Sequence, residues 1–154
     1  MLRSGAGTIV NVSSVMASLG AAQLSDYSAS KAAVTAMHKS LSAELKQHPD
    51  IKMILVEPGH FCTPLFEGVE SPNRFLAPVL EPVDVAKEVI KAIDEGSSAY
   101  LAMPLYARWA GLMNVLPVGA QAILRRLSGV DRGMRTFKGR GSKEAEGTMV
   151  GKKI

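Results

Sequence analysis

Tyr27 and Lys31 stand four residues apart at the start of a segment with helical periodicity, so both side chains fall on one face. Ser14 lies thirteen residues before Tyr27, at the end of a β-rich run. A phenol, with an ordinary pKa of about 10, is a poor base near neutrality. A cation held beside it favours the phenolate, and Lys31, one turn further on, is placed to be that cation. A serine hydroxyl can hydrogen-bond a substrate oxygen and stabilise charge that develops there. Together the three residues read as acid–base chemistry at an oxygen. Singly they read otherwise: Tyr27 as a packed aromatic, Ser14 as a turn residue, Lys31 as a solvated charge.

A second constellation is Pro58-Gly59-His60-Phe61-Cys62-Thr63, directly after an apolar run. Ligands of parallel α/β sheets bind beyond the carboxyl ends of the strands, and this turn occupies such a place. On its own it is equally a plain turn before a proline-rich loop. Metal chemistry finds no support, because His38, His48 and His60 show no ligand spacing. Cys62 is the one cysteine, which excludes an intrachain disulfide and fits a reducing compartment.

The elements that must position these residues follow from local patterning. TIVNVS, residues 8–13, predicts a strand buried on both faces. Residues 14–25 read as a loop. From Asp26 to about Gln47 a helix is expected, with Ala29, Ala32, Ala33, Ala36, Met37, Leu41 and Leu45 at helical steps and Pro49 beyond its end. IKMILV, residues 51–56, predicts a second strand, and Pro64, Pro72 and Pro78 mark a long, mobile loop. A second helix starts at Glu81-Pro82, presents Val85, Ala86, Val89, Ile90 and Ile93 on one face, and closes at Gly96. SAYLA, residues 98–102, predicts a third strand. A further helix runs from Pro104 to about Leu127, bent or broken at Pro117. Met103, Trp109 and Met113 read as packing residues, or as lining of a lipophilic pocket. Alternating strands and helices imply a parallel sheet with right-handed crossovers. Such a sheet leaves the strand of Ile9, Val10 and Val12 without a partner on one side, which points to a missing element before residue 1.

GTIVNVSS followed by DYSASKAAV resembles the catalytic strand and Tyr-x-x-x-Lys helix of the short-chain dehydrogenase/reductase family, including its Ser-to-Tyr spacing. The resemblance covers residues 5–137, roughly half of a typical member. It implies a partial Rossmann fold, an α/β doubly wound parallel sheet lacking the N-terminal nucleotide-binding half. It implies residues 1–137 as the catalytic half of that domain; the Gly- and Lys-rich composition of 138–154 predicts a basic, disordered tail. The implied activity is NAD- or NADP-dependent interconversion of a hydroxyl and a carbonyl. Tyr27 is then the acid/base, Lys31 tunes it and holds the cofactor ribose, and Ser14 orients the substrate. Pro58, Gly59 and Thr63 contact the nicotinamide, whereas His60 and Cys62 are incidental to such a mechanism. No Gly-rich strand-to-helix turn is present to cradle a pyrophosphate. The isolated chain is therefore expected neither to bind cofactor tightly nor to turn over. A non-catalytic binding or dimerisation module is the competing expectation, with pairing through the 26–47 helix, a dimer contact in the family.

Leu80-Glu81-Pro82, then Leu116-Pro117 followed by Arg125 and Arg126, resemble the membrane- or lipid-droplet-associated hydroxysteroid and retinol dehydrogenase branch. That implies a lipophilic alcohol or ketone, and an intracellular location at an endoplasmic reticulum or lipid-droplet surface, with the cytoplasm as the alternative. Charge is distributed accordingly. Residues 1–107 carry a balance of −3 and residues 108–154 a balance of +7. An apolar helix followed by basic residues suits an anionic membrane surface. It also suits a helix that covers the pocket beside a solvated tail. Nucleic-acid binding is disfavoured, because the basic residues sit in a Gly-rich tail without interleaved aromatics. Trp109 to Leu124, the longest charge-free apolar run, is too short to span a bilayer and contains Pro117. The opening MLRSGAGTIV carries no secretory leader pattern.

Overall fold

The computed structural model describes residues 1–60 and 78–128. The β-branched and apolar runs form strands β1 (Gly7–Val12), β2 (Ile51–Pro58) and β3 (Ala99–Met103). They pair in parallel in the order β1-β2-β3. Gly7 stands opposite Ile51 and Val12 opposite Val56; Ile54 stands opposite Ala99 and Pro58 opposite Met103. All three strands therefore end on one rim. Backbone bonds continue the ladders past it, from Ser13 N to Val56 O (2.8 Å), Val15 N to Pro58 O (3.0 Å) and Gly59 N to Met103 O (2.7 Å).

β2 is the buried strand. Its odd- and even-numbered residues are both covered, and Ile54 and Val56 are 0% exposed. This corrects the expectation that β1 is buried on both faces. Among the described strands β1 pairs only with β2, its residues are partly buried, and Val12 is exposed. Helix α3 (Pro82–Asp94) covers one face of the sheet, with Pro82 in its first turn and Gly96 just past its end at φ +61°. Val85, Val89 and Ala92 meet Val10, Ile54, Val56, Leu101 and Met103 in the main apolar core. Burying a side chain such as Ile54 contributes about 1.5–3 kcal/mol. Ala86, Ile90 and Ile93, expected on the same face, lie exposed on its flank.

The other face carries helix α2 (Ser25–Glu44), which tightens into a 3₁₀ turn over Leu45–Gln47 before Pro49. The expected row Ala29, Ala32, Ala33, Ala36 and Met37 lies on its open side. Toward the sheet it presents Lys31, Thr35 and His38, bonded to β1 and β2 residues or, for Lys31, to Val12 and Ser13. The segment expected as a loop contains a short helix, α1 (Met16–Leu19).

After β3 the chain does not run as one bent α-helix. Leu105–Val115 is a 3₁₀ helix, and α4 (Val118–Ser128) begins after the break at Pro117. A threefold repeat explains the tighter coil locally. Ala107, Ala110 and Met113 fall on one row, and the two buried alanines pack against Val15. Trp109, Leu112 and Val115 form another row and are 62%, 57% and 80% exposed. The packing expected of Trp109 is thus absent, whereas Met103 joins the core. The proline-rich loop from Phe61 to Ala77 and the basic tail from Lys138 lie outside the described residues.

Candidate active site

The strand ends, the loop holding α1 and the first turns of α2 carry the candidate residues. Ser14 leaves β1 at the rim and is 4% exposed. Its hydroxyl accepts the Met16 amide at 3.2 Å and donates to the Pro58 carbonyl over a long 3.4 Å. Ser14 is thereby joined to the Pro58-Gly59 turn, a contact between residues forty-four positions apart.

Tyr27 and Lys31 lie on successive turns of α2, as the spacing requires. The Lys31 ammonium stands 5.7 Å from the Tyr27 ring centroid. Two bonds fix Lys31 to the end of β1: Nζ donates to the Val12 carbonyl at 3.0 Å, and its carbonyl accepts the Ser13 hydroxyl at 2.9 Å. Among the described residues Lys31 has no acidic ion-pair partner. An ammonium has three protons to donate, so Nζ retains donors for a polyhydroxyl ligand such as a ribose. Asp26 accepts the Tyr27 amide at 2.8 Å, and Ser30 donates to the Tyr27 carbonyl at 2.7 Å. Helix, strand end and turn thus converge at the carboxyl rim of the sheet.

Gly59 is a glycine for a reason visible in its surroundings. A Cβ there would stand 2.9 Å from the Tyr106 hydroxyl oxygen, 3.0 Å from Pro104 Cδ and 3.4 Å from the Met103 carbonyl. Tyr106 belongs to the second apolar cluster, with Val15, Met16, Leu19, Ala102, Ala107 and Ala110. Burial pushes its phenol above the ordinary tyrosine value. Burial likewise lowers His60, whose carbonyl accepts the Leu80 amide at 2.9 Å. Thr63 and Cys62 lie outside the described residues. Among the described residues no group of three His, Cys, Asp or Glu side chains is arranged to hold a metal ion.

Several residues around the site were given no role in it from sequence. Glu57 is 4% exposed and bonded to Thr35 and Tyr100. Burial, then the hydrogen bond to Glu57, pushes the Tyr100 phenol well above its ordinary value. His38 is buried; its Nδ1 accepts the Asn11 amide at 3.0 Å, and burial lowers its pKa despite the nearby Glu57. Arg125, on α4, donates to the Leu19 carbonyl at 2.6 Å and ties that helix to the loop beside the site. The one legible signal was Glu57 itself, a carboxyl in the otherwise apolar run MILVEP.

The short chain dehydrogenase family model matches residues 1–74. An uncharacterised oxidoreductase of Saccharomyces cerevisiae is 35% identical over 125 residues, covering 80% of this chain and 38% of its own length. Epidermal retinol dehydrogenase 2 of Mus musculus is 30% identical over 146 residues, covering 93% of this chain and 47% of its own length. A solved short chain dehydrogenase of Burkholderia cenocepacia, in complex with NADP, superposes with a TM-score of 0.60 at 29% identity. That alignment covers 82% of this chain and 50% of the other. The chain thus spans less than half the length of these two curated relatives.

Proposed function

We infer, since the chain belongs to the short-chain dehydrogenase/reductase family, that residues 1–137 form the catalytic half of an oxidoreductase interconverting a hydroxyl and a carbonyl. The observation that carries this reading is the Lys31 ammonium, 5.7 Å from the Tyr27 ring and bonded to the strand that leads to Ser14. In oxidation, Tyr27 takes the hydroxyl proton of the substrate; in reduction, it returns that proton to the developing alkoxide. Lys31 stands beside Tyr27 as its cationic partner and offers its remaining protons to the ribose hydroxyls of NAD or NADP. Ser14 turns its hydroxyl from the distant Pro58 carbonyl to the substrate oxygen. A nicotinamide cofactor, when bound, accepts or supplies the hydride. Pro58 and Gly59, and Thr63 by the family resemblance, are the residues that would contact the nicotinamide. No Gly-rich pyrophosphate cradle stands in this sequence, so turnover requires an N-terminal nucleotide-binding half to complete the site.

The substrate is a lipophilic alcohol or ketone, of the steroid, retinoid or lipid class. The exposed apolar row Trp109, Leu112 and Val115 and the apolar cluster around Tyr106 support this. A relative named as a retinol dehydrogenase supports it as well. Among the described residues no helix is long and apolar enough to cross a membrane. We propose association with an endoplasmic reticulum or lipid-droplet surface, with the basic segment 138–154 adding charge attraction. A second reading, a dimerisation module without catalysis, is favoured by the exposed small-residue row Ala29, Ala32, Ala33 and Ala36.

The experiment is an assay of the chain, alone and joined to a nucleotide-binding half, with retinol, steroid alcohols and long-chain alcohols and either cofactor. Oxidation by the joined protein that Tyr27→Phe abolishes is the expected result. Turnover by the chain alone refutes the need for completion. Turnover that survives Tyr27→Phe refutes the assignment of the acid/base. Inactivity of the joined protein, with a stable dimer, favours the second reading.

A further inference from the structure

The seam between α2 and the sheet is partly polar, and Glu57 is its acidic member. One carboxyl oxygen accepts the Thr35 hydroxyl at 2.7 Å, and the other accepts the Tyr100 hydroxyl at 2.6 Å. Thr35 lies one turn beyond Lys31 on α2. With its own proton given to Glu57, Thr35 accepts from Ser13 at 2.7 Å, and the single Ser13 proton is shared with the Lys31 carbonyl at 2.9 Å. Glu57 leads directly into Pro58, whose carbonyl accepts the Ser14 hydroxyl and the Val15 amide. One side chain thus links α2, β3 and the turn that contacts Ser14.

Apolar packing is non-directional and tolerates a helix that slides or rotates on a sheet. Short hydrogen bonds to a buried acid do not, because a displaced helix leaves an unsatisfied polar group in a site closed to water. Such a group is costly to bury for stability alone, which makes its geometry the informative property.

We propose that Glu57 is a positioning residue: through Thr35 and Ser13 it sets the rotation and depth of α2, and hence where Tyr27 and Lys31 stand relative to Ser14. The proposal rests on the catalytic reading of those three residues; the clamp itself rests on the bonds alone.

The test compares Glu57→Gln, Thr35→Val and Thr35→Ser in the chain joined to a nucleotide-binding half, with Glu88→Gln on the exposed side of α3 as a control. Amide hydrogen exchange along α2 and steady-state kinetics are measured on each. Thr35→Val and Glu57→Gln are expected to speed exchange over the first turns of α2 about tenfold. They are expected to lower kcat about tenfold and to raise the KM for cofactor, whose ribose Lys31 holds. Thr35→Ser, which keeps the hydroxyl, restores both readouts, and Glu88→Gln alters neither. Unchanged exchange in Thr35→Val and Glu57→Gln overturns the clamp. Faster exchange with kcat intact, or failure of Thr35→Ser to restore kcat, overturns the positioning role. An unsubstituted joined protein inactive with every alcohol refutes the catalytic reading and the positioning role with it. The exchange data then still decide whether the clamp exists.

Discussion

The carbonyl of Lys31 accepts the hydroxyl of Ser13 at 2.9 Å, while the Lys31 ammonium bonds the Val12 carbonyl on the same strand. The lysine is held at backbone and tip together, so its distance from Tyr27 depends on β1 as well as on helix geometry. Ser13→Ala removes one tether and the buried contact with Thr35. It is expected to cost about 1–3 kcal/mol of stability, read as a lowered midpoint in denaturant. Tyr27→Phe is expected to leave stability close to unchanged and to lower kcat of the completed enzyme by roughly 10²–10⁴. Parallel loss of stability and activity in both variants would contradict this division.

Gly59 and Tyr106 occupy adjoining space. Gly59→Ala places a methyl group against the Tyr106 hydroxyl and Pro104 and is expected to destabilise by about 1–3 kcal/mol. Tyr106→Phe removes the closest of those atoms. The double variant is expected to recover part of the loss, and thermal unfolding of the four proteins gives the coupling. Strict additivity would show that the two sites do not share space.

His38 makes stability depend on pH in a fixed direction. Its pKa in the fold lies below the ordinary 6.5, chiefly through burial, with Glu57 opposing. As pH falls, the unfolded chain binds this proton before the folded one does. The stability is therefore whole above about pH 6.5 and erodes as pH falls from there. His60 is shifted the same way and adds to the slope. His38→Gln keeps an acceptor for Asn11 and is expected to flatten the dependence between pH 5 and 7. Urea unfolding across that range measures it. An unaltered slope would assign the effect elsewhere.

Trp109, Leu112 and Val115 stand exposed in one row on the 3₁₀ helix. Purified protein is expected to sediment with anionic vesicles, less so at high salt. Trp109→Ser with Leu112→Ser is expected to weaken that partition roughly tenfold. Binding that is indifferent to both salt and substitution would exclude this row as the contact.

Much of this arrangement was legible in the residues. Strand and helix types followed from periodicity, and the parallel order from their alternation. The Tyr27–Lys31 spacing described the head of α2 without coordinates. Burial was less legible, for a physical reason. Alanine serves equally on either side of a helix, so Ala29, Ala32 and Ala33 did not reveal that α2 turns Thr35 and His38 to the sheet. The 3₁₀ coil was concealed because Ala107 and Ala110 fit a helical step of three as well as an α-helical face. Glu57, Tyr100 and Thr35 are far apart in sequence and become a group only when parallel pairing stacks them. No local pattern encodes that.

Every rung of the sheet joins residues more than forty positions apart. No hairpin exists among the described strands to start it, so each ladder must close a long loop before its pairing is rewarded. Folding is accordingly expected to be slow for a chain of this size. It exposes the apolar stretch MILV while the strands await their partners. Temperature and chaperone supply during synthesis, more than the equilibrium strength of the finished core, are then what govern how much protein can be recovered in soluble form.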